Sequence, residues 1–138
     1  MQLKDPDESF DIKVLVAEDN PINQKVAQRM LERLGCQVVM AATGREAVET
    51  IAAASCDLIF MDCMMPEMDG YEATRTIRTR EQEVGGRIPI IAMTAGALDG
   101  DREKCLAAGM DDFVTKPVTY GEIAGVLRRW AGQVGSRP

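Results

Sequence analysis

Asp62 stands at the end of the apolar run Leu58-Ile59-Phe60-Met61, and the loop Cys63-Met64-Met65-Pro66-Glu67-Met68-Asp69-Gly70 follows it. A carboxylate at the end of a buried-looking run is costly unless something compensates it. Polar residues also follow other apolar runs. Glu18 and Asp19 come after Val14–Ala17, Thr94-Ala95-Gly96 after Ile88–Met93, and Lys116-Pro117 after Phe113–Thr115. The run Val38–Ala41 ends in Ala42-Thr43-Gly44, to which we assign no chemistry. Three carboxylates gathered on one rim repel each other, and without a counter-ion at least one tends to be protonated. A hard divalent cation resolves this. Mg²⁺, with Mn²⁺ as an alternative, takes one or two carboxylates together with waters and phosphate oxygens. Lys116 adds a mobile positive charge and Thr94 a hydroxyl donor, which are the parts that stabilise a transferring phosphoryl group. Asp62 is then a nucleophile that accepts the phosphoryl group as an acyl phosphate. The chain contains no histidine, so any phosphohistidine donor sits on another chain or domain.

These residues share a rim only if the runs are neighbouring strands. Their length and β-branched content predict strands buried on both faces. Helical stripes separate them: Ile22, Val26, Met30 and Leu34 in one, Ile123, Val126, Leu127 and Trp130 in another. Asn20-Pro21 supplies an N-cap and a proline at the first helical position. Thr43-x-x-Glu46 and Thr119-x-x-Glu122 are capping boxes, Asp69-x-x-Glu72 is a close relative, and Gly35 and Gly109 fall where helices stop. Five strands alternating with five helices predict an α/β domain with a doubly wound five-stranded parallel sheet. In such sheets the site lies outside the carboxyl ends of the strands.

The 138 residues, 46% hydrophobic and 28% charged, suit one domain with a real core. A net charge of −6, from 16 basic and 22 acidic residues, argues against a nucleic-acid partner. No apolar run approaches the ~20 residues that span a bilayer, so no membrane contact by this domain is expected. The N-terminus lacks the apolar segment of a signal peptide. Cys36, Cys56, Cys63 and Cys105 form no CxxC pair and are expected to be reduced and mostly buried, which points to the cytoplasm. The expected division is a linker or tail at 1–11, the domain at 12–131, and a second linker or tail at 132–138.

The sequence resembles the receiver domain of two-component response regulators over about residues 12–131. The residues that carry the resemblance are Glu18-Asp19-Asn20, Asp62-x-x-Met65-Pro66-x-Met68-Asp69-Gly70, Thr94-Ala95 and Lys116-Pro117. At a finer level, Glu18-Asp19-Asn20-x-x-Asn23-x-x-Val26 and Asp111 to Val118 are similar to receivers fused to hybrid histidine kinases. The resemblance implies the flavodoxin-like (βα)5 fold and Asp62 as phosphoacceptor. It implies Mg²⁺ held by Asp19, Asp62 and the Met64 carbonyl, with Glu18 acting through water. Lys116, the Thr94 hydroxyl and the Ala95 backbone N–H would hold phosphoryl oxygens. Thr94 and Phe113 would form the switch, and the Lys116-Pro117 bond would be cis. The implied donor is a histidine kinase or a histidine phosphotransfer domain. A homodimer or an intramolecular domain contact would use the face of the fourth helix, fifth strand and fifth helix. The module would belong to the cytoplasmic part of a soluble or membrane-anchored sensor kinase, and would catalyse its own phosphorylation and slow dephosphorylation.

Simpler readings exist for each piece alone. Glu18-Asp19 could be helix-terminal acids favoured by the dipole, Asp69-Gly70 a turn and cap, and Phe113 a half-buried strand aromatic. Independent causes would not align the acids, Thr94 and Lys116 on one rim, whereas the role of Phe113 rests on the resemblance. Rival functions fit less well. A phosphatase working through an aspartyl phosphate commonly wants an acid two residues after its nucleophile, where this chain has Met64. A flavin-binding module wants a phosphate loop where Glu18-Asp19 would repel the phosphate. A degenerate receiver serving only protein contacts is the alternative, and intact Asp62, Thr94 and Lys116 argue against it.

Overall fold

The computed structural model describes residues 9–95 and 99–135. In chain order the elements are β1 (Lys13–Ala17), α1 (Pro21–Arg33), β2 (Gln37–Ala41), α2 (Gly44–Ala53) and β3 (Leu58–Asp62), then α3 (Gly70–Val84), β4 (Ile90–Thr94), α4 (Asp99–Ala108), β5 (Asp112–Thr115) and α5 (Tyr120–Gly135). The strands form one five-stranded sheet in the order β2-β1-β3-β4-β5, and every pairing is parallel. The direction of winding reverses between β1 and β3, and a crevice opens at the carboxyl ends of these two neighbours.

Alternation along the central strands builds two cores. Val14, Val16, Leu58, Phe60, Ile91 and Met93 point to one face, where Ala27 and Leu31 of α1 and Ile123, Val126 and Leu127 of α5 cover them. Leu15, Ala17, Ile59, Met61, Ile90 and Ala92 point to the other, beneath Ala47 of α2, Tyr71 and Ile77 of α3, and Cys105 and Ala108 of α4. Burial on both faces explains why these strands read as continuous apolar runs.

The helix starts form as their sequences predict. Asn20 Oδ1 accepts from the Ile22 and Asn23 N–H groups at 2.9 and 3.1 Å. Thr43, Asp69 and Thr119 each accept from the N–H three residues on, at 3.1, 2.9 and 3.2 Å. Gly35 and Gly109, just past α1 and α4, take φ values of 87° and 105°, left-handed angles that suit glycine.

Some boundaries differ from those expected. The fourth strand begins at Ile90 rather than Ile88. Pro89 has no N–H to give a ladder, and the Ile88 N–H is taken by the Glu81 carboxylate at 2.8 Å. At the carboxyl end α5 continues to Gly135. At the amino end Phe10 packs on the first core, and its N–H donates to the Leu34 carbonyl at 2.7 Å. Of the expected tails, residues 1–8 and 136–138 lie outside the described residues. All four cysteines are free thiols, and burial pushes Cys36 up to about 11 and Cys63 to about 12. Among the described residues no helix is long and apolar enough to cross a membrane.

Candidate functional site

The rim at the carboxyl ends of the strands gathers the residues that the sequence singles out. β1 ends at Ala17, and the next two acids part ways: Glu18 is 1% exposed, whereas Asp19 is open to solvent. Glu18 is held by its backbone and its carboxylate. Its N–H donates to the Ala41 carbonyl at 2.9 Å, and its carboxylate accepts from the Asn20 N–H at 3.0 Å. Asp62 is the last residue of β3 and is 2% exposed. Its Oδ1 accepts from the Met64 N–H at 3.2 Å.

Lys116, just past β5, reaches into this crevice. Its Nζ lies 2.9 Å from Asp62 Oδ2 and 3.1 Å from Glu18 Oε1. The Lys116 N–H donates to the Thr94 carbonyl at 2.7 Å, which ties the residue to β4, and the Lys116-Pro117 peptide is cis. Oxygens of Glu18, Asp19 and Asp62 lie within 4.8 Å of one another. Thr94, 5% exposed, ends β4 beside Thr115, one residue beyond the Asp62–Met93 pair. Ala95 follows it at the surface, and Gly96 lies outside the described residues. Phe113 is half-buried on the second core, with the Arg102 guanidinium over its ring at 4.9 Å.

Burial pushes the Asp62 carboxyl up to about 6, with the Glu18 charge adding to the rise, while Lys116 and the Met64 N–H pull the other way. Burial alone would lower Lys116, but its hydrogen bonds to Asp62 and Glu18 outweigh it and hold the ammonium above its usual range. Three carboxylates thus face one ammonium, and all the acidic donors are hard oxygens. Such a donor set fits a small divalent cation of the Mg²⁺ type.

Two glycines carry more of the site than the sequence suggests. Gly70, read as part of a turn and cap, donates its N–H to the Cys63 carbonyl at 3.0 Å. A Cβ there would collide with the Asp62 carbonyl oxygen and lie 3.0 Å from the Cys63 Cα. Gly44, in the segment to which no chemistry was assigned, donates its N–H to the Met68 carbonyl at 3.1 Å. Their only signal in the sequence is a glycine at a helix's first position, directly after a capping Thr or Asp.

Residues 14–128 match the family model of the response regulator receiver domain. The chain belongs to the response regulator receiver family. Over 122 residues it is 38% identical to hybrid signal transduction histidine kinase A of Dictyostelium discoideum, covering 87% of this chain and 6% of that protein. Receivers of this family therefore occur as small parts of much longer kinases. The receiver domain of sensor histidine kinase PA1611 from Pseudomonas aeruginosa PAO1, solved with a magnesium ion in its active site cleft, is 49% identical. That likeness covers 88% of this chain and 98% of that one, with a TM-score of 0.80. The receiver domain of Saccharomyces cerevisiae Ssk1, solved in complex with the histidine phosphotransfer protein Ypd1, is 32% identical, with a TM-score of 0.86. It covers 89% of this chain and 90% of that one.

Proposed function

We propose that this receiver takes a phosphoryl group from a phosphohistidine partner onto Asp62, in a reaction that requires Mg²⁺. The observation that carries the reading is the junction of Asp62, Glu18 and Lys116: a buried carboxylate at a strand end, bonded to an ammonium 2.9 Å away. Asp19 and Asp62, with the Met64 carbonyl, would hold the cation, and Glu18 would act through water. Bound there, the cation neutralises carboxylate charge and the charge on the transferring oxygens.

The chain's own residues do the rest. A carboxylate oxygen of Asp62 attacks phosphorus, the bond from phosphorus to the donor nitrogen breaks, and its electron pair returns to the imidazole. Lys116 shifts its ammonium from the carboxylate to a phosphoryl oxygen. The Thr94 hydroxyl and the Ala95 N–H donate to the others. Buried Asp62 gives the attacking group few waters to shed. Hydrolysis of the product is slow, because position 64 offers a thioether where an acid or base could have activated water.

The donor lies on another domain, since these 138 residues contain no histidine. The Ssk1–Ypd1 pair supports a histidine phosphotransfer protein in that role, and the likeness to a hybrid histidine kinase supports a histidine kinase. The module is best placed in the cytoplasmic part of a larger sensor kinase, and its signal leaves through the face of α4, β5 and α5, to a neighbouring domain or a second copy. Incubation with acetyl phosphate and Mg²⁺, followed by intact mass, tests the reading. One added phosphoryl group is expected, and none in excess chelator. Labelling at full rate in chelator would contradict the cation's role, and no labelling would favour a receiver used only for protein contacts.

A further inference from the structure

The loop from Cys63 to Asp69 carries the Met64 carbonyl, and two backbone contacts that only glycine permits hold it. At its far end Gly70 closes on Asp62 and Cys63, as described above. Two residues before that glycine it meets α2. Gly44 is buried at the first position of that helix, and its N–H reaches the Met68 carbonyl at 3.1 Å. A Cβ on residue 44 would land on the Met68 carbonyl oxygen and 2.9 Å from the carbonyl carbon. Backbone atoms cannot swing aside as a flexible side chain can, so either the helix or the loop must move.

The helix is the better anchored of the two. Thr43 Oγ1 accepts from the Glu46 N–H at 3.1 Å, and Glu46 returns its carboxylate to the Ala42 N–H at 2.8 Å. Ala47, one turn in, is buried in the second core. The loop, by contrast, contains Glu67 at φ 69°, a left-handed conformation that a side-chain-bearing residue keeps only where its surroundings hold it.

We propose that Gly44 is a positioning residue for the cation site. By lacking a side chain it lets the start of α2 hold the Met68 carbonyl, and so fixes the height of the loop that presents Met64. It touches neither Asp62 nor the phosphoryl group and acts only through Met68. The inference rests on the reading of the rim as a Mg²⁺-dependent phosphoacceptor site.

Gly44→Ala separates this role from helix formation, because alanine is intrinsically the better helix residue. In the variant the Mg²⁺ dissociation constant, measured by calorimetry, should rise on the order of tenfold, as for other groups that orient metal ligands. The phosphorylation rate from acetyl phosphate should return close to the parent's at saturating Mg²⁺. In the metal-free protein the amide shifts should concentrate at residues 63–70. Gly121→Ala, on α5 where an added Cβ meets nothing within 4 Å, should leave all three readouts unchanged. Thr43→Ala, which loosens the same clamp without a collision, should weaken Mg²⁺ binding to a smaller degree, and it decides the matter should Gly44→Ala fail to fold. Parent-like Mg²⁺ affinity in Gly44→Ala, or in Thr43→Ala if the first variant does not fold, overturns the inference while leaving the site reading intact. Absence of Mg²⁺ binding by the parent overturns both.

Discussion

Lys116 Nζ lies 2.9 Å from Asp62 Oδ2 and 3.1 Å from Glu18 Oε1, so one ammonium joins two buried carboxylates that come from neighbouring strands. The contact balances charge only partly, since Asp19 adds a third carboxylate to the same cluster. The surplus of buried carboxylate charge comes at some cost to stability.

That cost depends on pH. Folding raises Asp62 from 3.8 to about 6. The folded form therefore holds its proton more tightly, and the associated stability is full below about pH 4 and lost as pH rises through 6. Without metal, Asp62→Asn should be more stable than the parent at pH 7–8, by about 1–3 kcal/mol from the conversion of ~1.4 kcal/mol per pH unit. The gain should vanish near pH 4. Urea unfolding in chelator between pH 4 and 8 reads this directly, and a gain independent of pH would contradict it.

Asp19 and Glu18 should separate metal binding from stability. Asp19 is exposed, so Asp19→Asn should change metal-free stability by less than ~0.5 kcal/mol. Its Mg²⁺ affinity, measured by calorimetry, should fall steeply. Glu18 is buried and partners both Lys116 and the Asn20 N–H. Glu18→Ala should lose less Mg²⁺ affinity than Asp19→Asn, yet destabilise the fold by about 1–3 kcal/mol through the partners it leaves.

Trp130, the only tryptophan, offers a probe of how α5 docks. Its Nε1 donates to Asp112 Oδ2 at 2.9 Å, and Arg129 Nη2 reaches the same oxygen at 2.8 Å. Burial tends to raise Asp112, but the bonds from Trp130 and Arg129 hold it below its usual range. Its stabilisation is therefore present above about pH 4 and lost as pH falls through the lower folded value. Asp112→Asn should shift Trp130 emission and cost about 1–2 kcal/mol at pH 7. Fluorescence-detected unfolding checks both, and an unshifted spectrum would mean the indole bond is not kept in solution.

Thr94 and Phe113 should transmit the phosphoryl signal. If the Thr94 hydroxyl turns to the phosphate, Phe113 moves inward and slides from beneath Arg102. The loss of that stacking frees α4, whose described residues bury only Cys105 and Ala108. A coupling of about 1–3 kcal/mol is the expected scale. Thr94→Ala should accept the phosphate mimic beryllofluoride yet fail to shift amide signals along residues 99–118. The same shifts in variant and parent would rule out the coupling.

The sequence shows the fold well where chemistry is local. The runs of β1, β3 and β4 are legible because both faces are buried, and the Asn20, Thr43, Asp69 and Thr119 caps because capping needs particular atoms at fixed offsets. Less legible is what depends on contacts between distant segments. Glu18 and Asp19 are adjacent and chemically alike, yet the first is buried against Ala41 of β2 and Lys116, both distant in sequence, and the second is open. Pro89 could have marked the late start of β4, since it cannot donate to the ladder. Gly44 shows only its place after a capping Thr, because its contact is with a carbonyl 24 residues away in sequence and involves no side chain.

The most direct test of the central claim is to locate the phosphoryl group. The protein would be phosphorylated with acetyl phosphate and Mg²⁺, the acyl phosphate trapped by borohydride reduction, and the peptides mapped by mass. A single modified residue, Asp62, is expected, and no modification in Asp62→Asn. A modified serine, threonine or other acid in place of Asp62 would contradict it.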